Sequence, residues 1–219
     1  MKSRTRCVLF DLDGTLVDTA PDLAFAANEV RVEAGFPPLP LAHYRPVASA
    51  GARGLLKVAL NVAPEDPQYS RCRDRFLEIY SGNLSRQSRL FPGMDETLAV
   101  FEKKNIRWGV VTNKPDWLAL PLMQALKLTT RMACLIGQRD GLPVKPAPDS
   151  LLLACTELKL HPAECVYVGD DLRDIQAARA AGMPVLAAAW GYIGVEESIA
   201  DWRADAVVTS PLELLSHCC

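Results

Sequence analysis

No two cysteines in this chain are spaced C-x-x-C, and none of its three histidines (His43, His161, His217) stands at metal-ligand spacing or beside an acid partner. Its seven cysteines, at positions 7, 72, 134, 155, 165, 218 and 219, are an odd set. That pattern predicts reduced thiols rather than a disulfide framework or a zinc site. Cys218-Cys219 reads as a frayed tail. No run reaches the roughly 18 apolar residues of a membrane span. The start is basic (Lys2, Arg4, Arg6), but only four apolar residues follow before Asp11, too few for the core of a signal peptide. A formal net charge of −2 gives no electrostatic reason to expect nucleic acid or an anionic membrane as partner. The expectation is a cytoplasmic protein with no nucleic-acid and no membrane partner, a monomer or homodimer.

What is present points to a globular chain with ample core material, 49% hydrophobic and 23% charged. At 219 residues it exceeds the usual single-domain size, so one domain plus an insertion is the natural prior. The organising stretch is Cys7-Val8-Leu9-Phe10-Asp11-Leu12-Asp13-Gly14-Thr15-Leu16-Val17-Asp18. Four consecutive apolar residues read as a strand buried on both faces of a parallel sheet. In an open α/β sheet the carboxyl end of such a strand is where ligands bind. Here it carries two carboxylates one residue apart, which repel unless a cation or a shared proton intervenes.

Thr19-Ala20-Pro21-Asp22 reads as a helix start with a hydroxyl cap, an early proline and an acid three residues after the cap, and Gly35 as its end. From 41 to 84 only helical patterns are visible, notably over 54–60 and 69–80. A purely helical block straight after a first strand lies outside an α/β alternation and predicts a separate small domain over 18–84. From Phe91-Pro92-Gly93 onward strands and helices alternate. Strands are expected over 108–113, 134–137, 165–168, 185–189 and 206–208, with helices over 94–104, 116–127, 149–158 and one stopped by Gly182. The fold class is therefore α/β, a doubly wound parallel sheet built from 1–17 and 85–219.

Four polar clusters fall at strand ends or in the loops after them: Asp11/Asp13, Thr112/Asn113, Lys145 and Asp170/Asp171/Asp174. Parallel strands bring their carboxyl ends to one edge, so these clusters can converge. They supply a nucleophile, a hydroxyl donor, a fixed cation and metal-binding carboxylates, the parts that phosphoryl transfer needs. Read singly, a strand-end turn, a solvated lysine and acids at a helix start account for the later three.

The D-L-D-G-T-L-V-D stretch, with Thr112-Asn113, Lys145-Pro146 and Gly169-Asp170-Asp171-Leu172-Arg173-Asp174 in order, resembles the four motifs of the haloacid-dehalogenase-like phosphatases. The helical insertion resembles that family's mobile cap on a Rossmann-like core. The resemblance implies roles by position: Asp11 as nucleophile forming an aspartyl phosphate, and Asp13 as general acid and then base. It implies Mg²⁺ held by Asp11, the Asp13 backbone carbonyl and Asp170. Thr112 and Lys145 would hold phosphoryl oxygens, with Asn113 helping to orient them. Asp174 would act on a metal-bound water or on Lys145, and Asp171 is a secondary candidate ligand. Asp13 favours phosphate-ester chemistry, because the dehalogenases of the superfamily lack that acid.

Ser49-Ala50-Gly51-Ala52-Arg53-Gly54 resembles a cap loop facing the active site, and Arg53 is placed to pair with a substrate carboxylate. A solvated helix arginine reads equally well. The implied substrate is a small phosphate ester, phosphoglycolate by the conventional subgroup label. The rival is N-acetylmuramic acid 6-phosphate, suggested by S-A-G-A-R, G-V-V-T-N-K-P, V-G-D-D-L-R-D-I and W-G-Y-I; both carry a carboxylate. A phosphosugar mutase is a further enzyme reading. A phosphoaspartate receiver module is disfavoured by the position of D-x-D-G-T and by the insertion. Trp190 to Ile193 either wall the site or pack, and Trp108, Trp117 and Trp202 are expected to pack.

Overall fold

Residues 5–194 and 198–219 are described in this computed structural model, so Lys2 and Arg4 lie outside the described residues. The apolar run forms β1 (Cys7–Phe10), with all four residues fully buried. The chain then passes through β2 (Val17–Asp18), α1 (Ala20–Glu33), α2 (Leu41–Tyr44), a 3₁₀ segment (Arg45–Ala50), α3 (Gly51–Leu60) and α4 (Tyr69–Ser81). It returns by β3 (Arg89–Leu90), which pairs antiparallel with β2, Val17 opposite Leu90 and Asp18 opposite Arg89. The alternation follows as α5 (Met94–Lys103), β4 (Arg107–Pro115), α6 (Asp116–Ala125), β5 (Leu135–Gln138), α7 (Asp149–Leu158) and β6 (Cys165–Gly169). It ends with α8 (Leu172–Ala180), β7 (Val185–Ala188), β8 (Ala206–Val208) and α9 (Leu214–Cys218).

Six strands form one parallel sheet in the order β5-β4-β1-β6-β7-β8. From β1 the chain winds outward through β4 to β5, then restarts at β6 and winds the other way. The switch point therefore lies between β1 and β6, where a crevice opens at the strands' carboxyl ends. Successive side chains of β1 feed two cores. Val8 and Phe10 join the larger cluster on one face, while Cys7 and Leu9 join a smaller one on the other. The larger cluster runs on into the helical insertion through Leu23, Ala27, Leu55, Leu56, Phe76 and Tyr80.

Four expectations are corrected. Thr19 makes no side-chain cap on α1; its hydroxyl donates instead to Asp13 Oδ1 at 2.6 Å. Asp22 is not part of a capping box either, because its carboxylate accepts from the Gln87 and Ser88 N–H groups and the Ser88 hydroxyl. Trp117 does not pack and is 55% exposed, while Cys218 is 4% exposed on α9, so only Cys219 fits a frayed tail. Strands β2 and β3, two residues each, are too short to leave a period-two signal.

Gly109 sits where β4 passes close to its neighbours: a Cβ there would lie 2.5 Å from Cys134 Sγ and 3.2 Å from Leu9 Cδ2. Gly109→Ala is expected to destabilise the fold by about 1–3 kcal/mol through overpacking. Urea unfolding checks this, and an unchanged midpoint would count against the tight packing of β4.

Candidate active site

At the end of β1 the Asp11 N–H donates to Val168 O of β6, which fixes Asp11 at the switch point. The turn that follows is tight. Gly14 has φ +89°, and a Cβ on it would stand 2.2 Å from Asp170 Oδ2, so this position needs glycine for both conformation and space. Next to it, the Thr15 hydroxyl donates to Asp170 Oδ1 at 2.6 Å. Asp170 Oδ2 accepts from the Tyr192 N–H at 2.8 Å and from the Ser49 hydroxyl at 3.0 Å. Ser49 belongs to the helical insertion, so the insertion touches this carboxylate directly.

β4 delivers three polar residues in succession. Its pairing with β5 slips between Val111 and Pro115, which breaks strict alternation, and Thr112, Asn113 and Lys114 all line the cleft. Thr112 Oγ1 accepts from the Lys114 N–H, leaving its own O–H to donate to a ligand. The Asn113 side chain grips the backbone of Lys145 on both sides: Oδ1 accepts from the Lys145 N–H at 2.8 Å, and Nδ2 donates to its carbonyl at 3.0 Å. The Lys145–Pro146 peptide is cis.

Held in this way, Lys145 is 3% exposed, and its Nζ lies 2.9 Å from Asp11 Oδ1 and 2.6 Å from Asp174 Oδ1. It also donates at 2.7 Å to the Tyr167 hydroxyl, which in turn donates to Val111 O. Burial works against the charge of Lys145, but the carboxylates of Asp11 and Asp174 outweigh it, and the ammonium is held above its ordinary range.

Carboxylate oxygens of Asp11, Asp170 and Asp174 converge within 4.8 Å of one another. Burial, then the charges of Asp11 and Asp174, push Asp170 well above the usual carboxylate range, although Thr15 and the Tyr192 N–H oppose this. Asp174 is pushed up to about 7, chiefly by burial, against the pull of Lys145. Three carboxylates thus face one fixed lysine, a deficit that one divalent cation matches. Asp11 fits such an ion: the Lys145 ammonium, 2.9 Å from its buried Oδ1, uses only part of the carboxylate's accepting capacity. Hard oxygen donors of this kind suit Mg²⁺. Asp171 stands apart from this convergence. It caps α8, accepting from the Arg173 N–H and pairing with its guanidinium at 2.6 Å. Asp171 is held below its ordinary range because Arg173 outweighs the effect of burial.

Asp13 has a separate partner. Lys114 Nζ lies 3.0 Å and 3.2 Å from its two oxygens and donates at 2.8 Å to the Tyr80 hydroxyl of α4. Arg53 is exposed on α3 at the rim of the cleft and has no acid partner among the described residues. The cleft encloses about 370 Å³ between the strand ends and the helical insertion, whose wall includes Tyr69, Phe76 and Tyr80. Sequence reasoning missed Thr15, Lys114, Tyr167 and Tyr80. Lys114 stood in view inside T-N-K-P, but a lysine at a strand end reads as a solvated charge until its burial is known. Tyr192, left between wall and packing, is buried and also donates to Asp18 Oδ1 at 2.8 Å.

Residues 8–188 match the family model described as haloacid dehalogenase-like hydrolase. An N-acetylmuramic acid 6-phosphate phosphatase of Pseudomonas putida is 46% identical over 211 residues, covering 96% of this chain and 95% of that protein. A phosphoglycolate phosphatase of Xanthomonas campestris pv. campestris is 43% identical over 212 residues, covering 95% and 94%. The crystal structure of a predicted phosphoglycolate phosphatase from Haemophilus somnus superposes with a TM-score of 0.86 at 26% identity, with both chains covered completely. With the family model spanning most of the chain and close relatives spanning nearly all of it, the protein belongs to the haloacid dehalogenase-like hydrolase family.

Proposed function

We propose that this protein is a phosphoric monoester hydrolase acting through an aspartyl phosphate on Asp11. The observation that carries the reading is the buried Asp11 carboxylate at the switch point, with the Lys145 ammonium 2.9 Å from its Oδ1 and the carboxylates of Asp170 and Asp174 converging beside it. Asp11, Asp170 and the Asp13 backbone carbonyl are the groups that would hold Mg²⁺, which when bound screens the repulsion between the Asp11 carboxylate and an approaching phosphate. The Asp11 carboxylate attacks phosphorus as the bond to the ester oxygen breaks, and Asp13 gives that oxygen its proton. Asp13 then takes a proton from water as the water attacks the phosphoenzyme. The bond to Asp11 breaks and inorganic phosphate leaves. Lys145 and Thr112 hold phosphoryl oxygens, Asn113 fixes Lys145, and Asp174 shares the Lys145 ammonium. Residues 18–84 act as the cap over this cleft.

The cleft favours N-acetylmuramic acid 6-phosphate over phosphoglycolate. Its volume of about 370 Å³ lies in the range of roughly 300–1,000 Å³ that takes drug-sized ligands, more than a two-carbon ester fills. Tyr69, half-buried at the cleft wall, offers a face for a sugar, and Arg53 a partner for the lactyl carboxylate. The name of the 46% identical relative supports the same substrate, while that of the 43% identical relative supports phosphoglycolate. Seven free thiols favour a reducing cytoplasm, and among the described residues no helix is long and apolar enough to cross a membrane.

Asp11→Asn is expected to abolish phosphate release; an Asp11→Asn enzyme of normal activity would sink the nucleophile assignment. Across a panel of phosphate esters, kcat/KM for N-acetylmuramic acid 6-phosphate should exceed that for 2-phosphoglycolate by about 100-fold, or about 2.7 kcal/mol of transition-state binding. The reverse ranking would establish phosphoglycolate, and an isomerised sugar phosphate without released phosphate would establish a mutase.

The raised carboxylates set a pH dependence. An acid whose folded pKa lies above its unfolded value favours folding at low pH, and that advantage fades as pH rises from about 4 through about 7. The metal-free protein should therefore lose stability over that window. Mg²⁺ at about 100 times its Kd should restore about 2.7 kcal/mol, or about 5–10 °C in Tm. The gain should be larger near neutral pH than in acid. Thermal melts with Mg²⁺ and with EDTA check this, and an equal response at both pH values would contradict the three-carboxylate site.

A further inference from the structure

Lys114 is buried, its side chain 5% exposed against 15% for Asp13. A lysine this far from water keeps its charge only through its partners, and Lys114 has two. It spans both oxygens of Asp13 at 3.0 Å and 3.2 Å, and it reaches the Tyr80 hydroxyl at 2.8 Å. Tyr80 adds its ring face, whose centroid lies 4.5 Å from Nζ. Thr19 completes the hold on Asp13 with a 2.6 Å bond to Oδ1. The carboxylate is thus fixed from two directions, by a strand residue of the core and by a residue of the link into the insertion. The charge that fixes it is itself supported by an insertion helix.

From this juxtaposition we infer that Lys114 is a positioning residue for Asp13, and that Tyr80 makes its grip complete only while α4 is seated over the cleft. The argument rests on the reading of Asp13 as the group that gives and takes the proton. Withdrawal of α4 removes both the hydroxyl and the ring, leaving the ammonium with Asp13 alone and open to water. A buried ion pair that loses supporting hydrogen bonds is weakened, so the grip of Lys114 on Asp13 loosens and Thr19 becomes its firmer partner. Proton transfer is then tied to a closed cap, in which bulk water is kept from the ester bond. Neither Lys114 nor Tyr80 needs to touch the reacting atoms for this.

The test uses the full-length protein with Mg²⁺, with Lys114→Met, Lys114→Arg, Tyr80→Phe and the double variant Tyr80→Phe/Lys114→Met. On an alkyl phosphate substrate, Lys114→Met should lower kcat by about 100-fold, within the usual contribution of a positioned acid–base group, with little change in KM. Lys114→Arg should restore most of it. On p-nitrophenyl phosphate, whose leaving group departs without a proton, Lys114→Met should release a burst of nitrophenolate equal to the enzyme present and then turn over slowly. Tyr80→Phe, which keeps the ring and removes only the hydroxyl, should lower kcat by about tenfold. The double variant should be no worse than Lys114→Met alone, as coupled groups require.

A rise in KM with kcat intact would make Lys114 a substrate ligand and overturn the inference. So would equal losses on both substrates without a burst, or additive losses in the double variant. Asp13→Asn separates this from failure of the underlying reading. With p-nitrophenyl phosphate as substrate, Asp13→Asn should accumulate phosphorylated protein detectable by mass; if it does not, the proton-shuttle reading falls and the inference with it. If it does while Lys114→Met stays fully active, only the inference falls.

Discussion

Everything at the head of this sheet depends on one buried ammonium. Lys145 lies between Asp11 and Asp174 with almost no access to water, and its contacts at 2.9 Å and 2.6 Å hold two carboxylates that would otherwise repel. Removing a single partner from such a buried cluster is far more costly than never having built it. The surroundings are organised accordingly. Asn113 clamps the lysine backbone, the Tyr167 hydroxyl accepts a hydrogen bond from its ammonium, and Gly169 leaves room for Asp174, since a Cβ there would fall 2.2 Å from Asp174 Oδ2. The residues that carry charge and those that merely allow its approach are therefore equally constrained.

The cleft is shared between two structural layers. Its floor belongs to the parallel sheet and is set by topology, because a doubly wound order leaves a crevice where the winding reverses. Its roof belongs to helices inserted between the first strand and the rest. Contacts cross the boundary on both sides of the cleft: Ser49 to Asp170, the Arg173 guanidinium to Ser49 O, and Lys114 to Tyr80. The roof thus reaches the acids directly or through one residue. A ligand chosen by the roof is, by the same contacts, sensed by the charges below.

Much of this was legible in the sequence, for identifiable reasons. The sheet could be read because a strand buried on both faces must be continuously apolar, as Cys7 to Phe10 and Cys165 to Val168 are. The acids could be read because charge at the end of such a strand has no role in packing. What escaped depended on distances along the chain too great for any local pattern. Lys114 reads as a surface lysine until Tyr80, from another element, covers it. Thr19 and Asp22 fit the pattern of a helix cap, yet tertiary partners, Asp13 for one and the 87–88 backbone for the other, claimed both side chains. Local rules describe what a residue can do, and competition from the folded chain decides what it does.

The two short strands that carry the chain into and out of the helical block hold a separate lesson. Val17 and Leu90 face each other across that ribbon, so the insertion begins and ends at nearly the same point in space. The intervening helices are consequently a loop of the core in the topological sense, removable or exchangeable without rethreading a single sheet strand. The sheet, its switch point and its acids can stay fixed in a lineage while the block above is replaced. The limit on such exchange is apolar rather than topological. The large core runs unbroken from Phe10 into Leu23 and Phe76, so any replacement must cover the same greasy face.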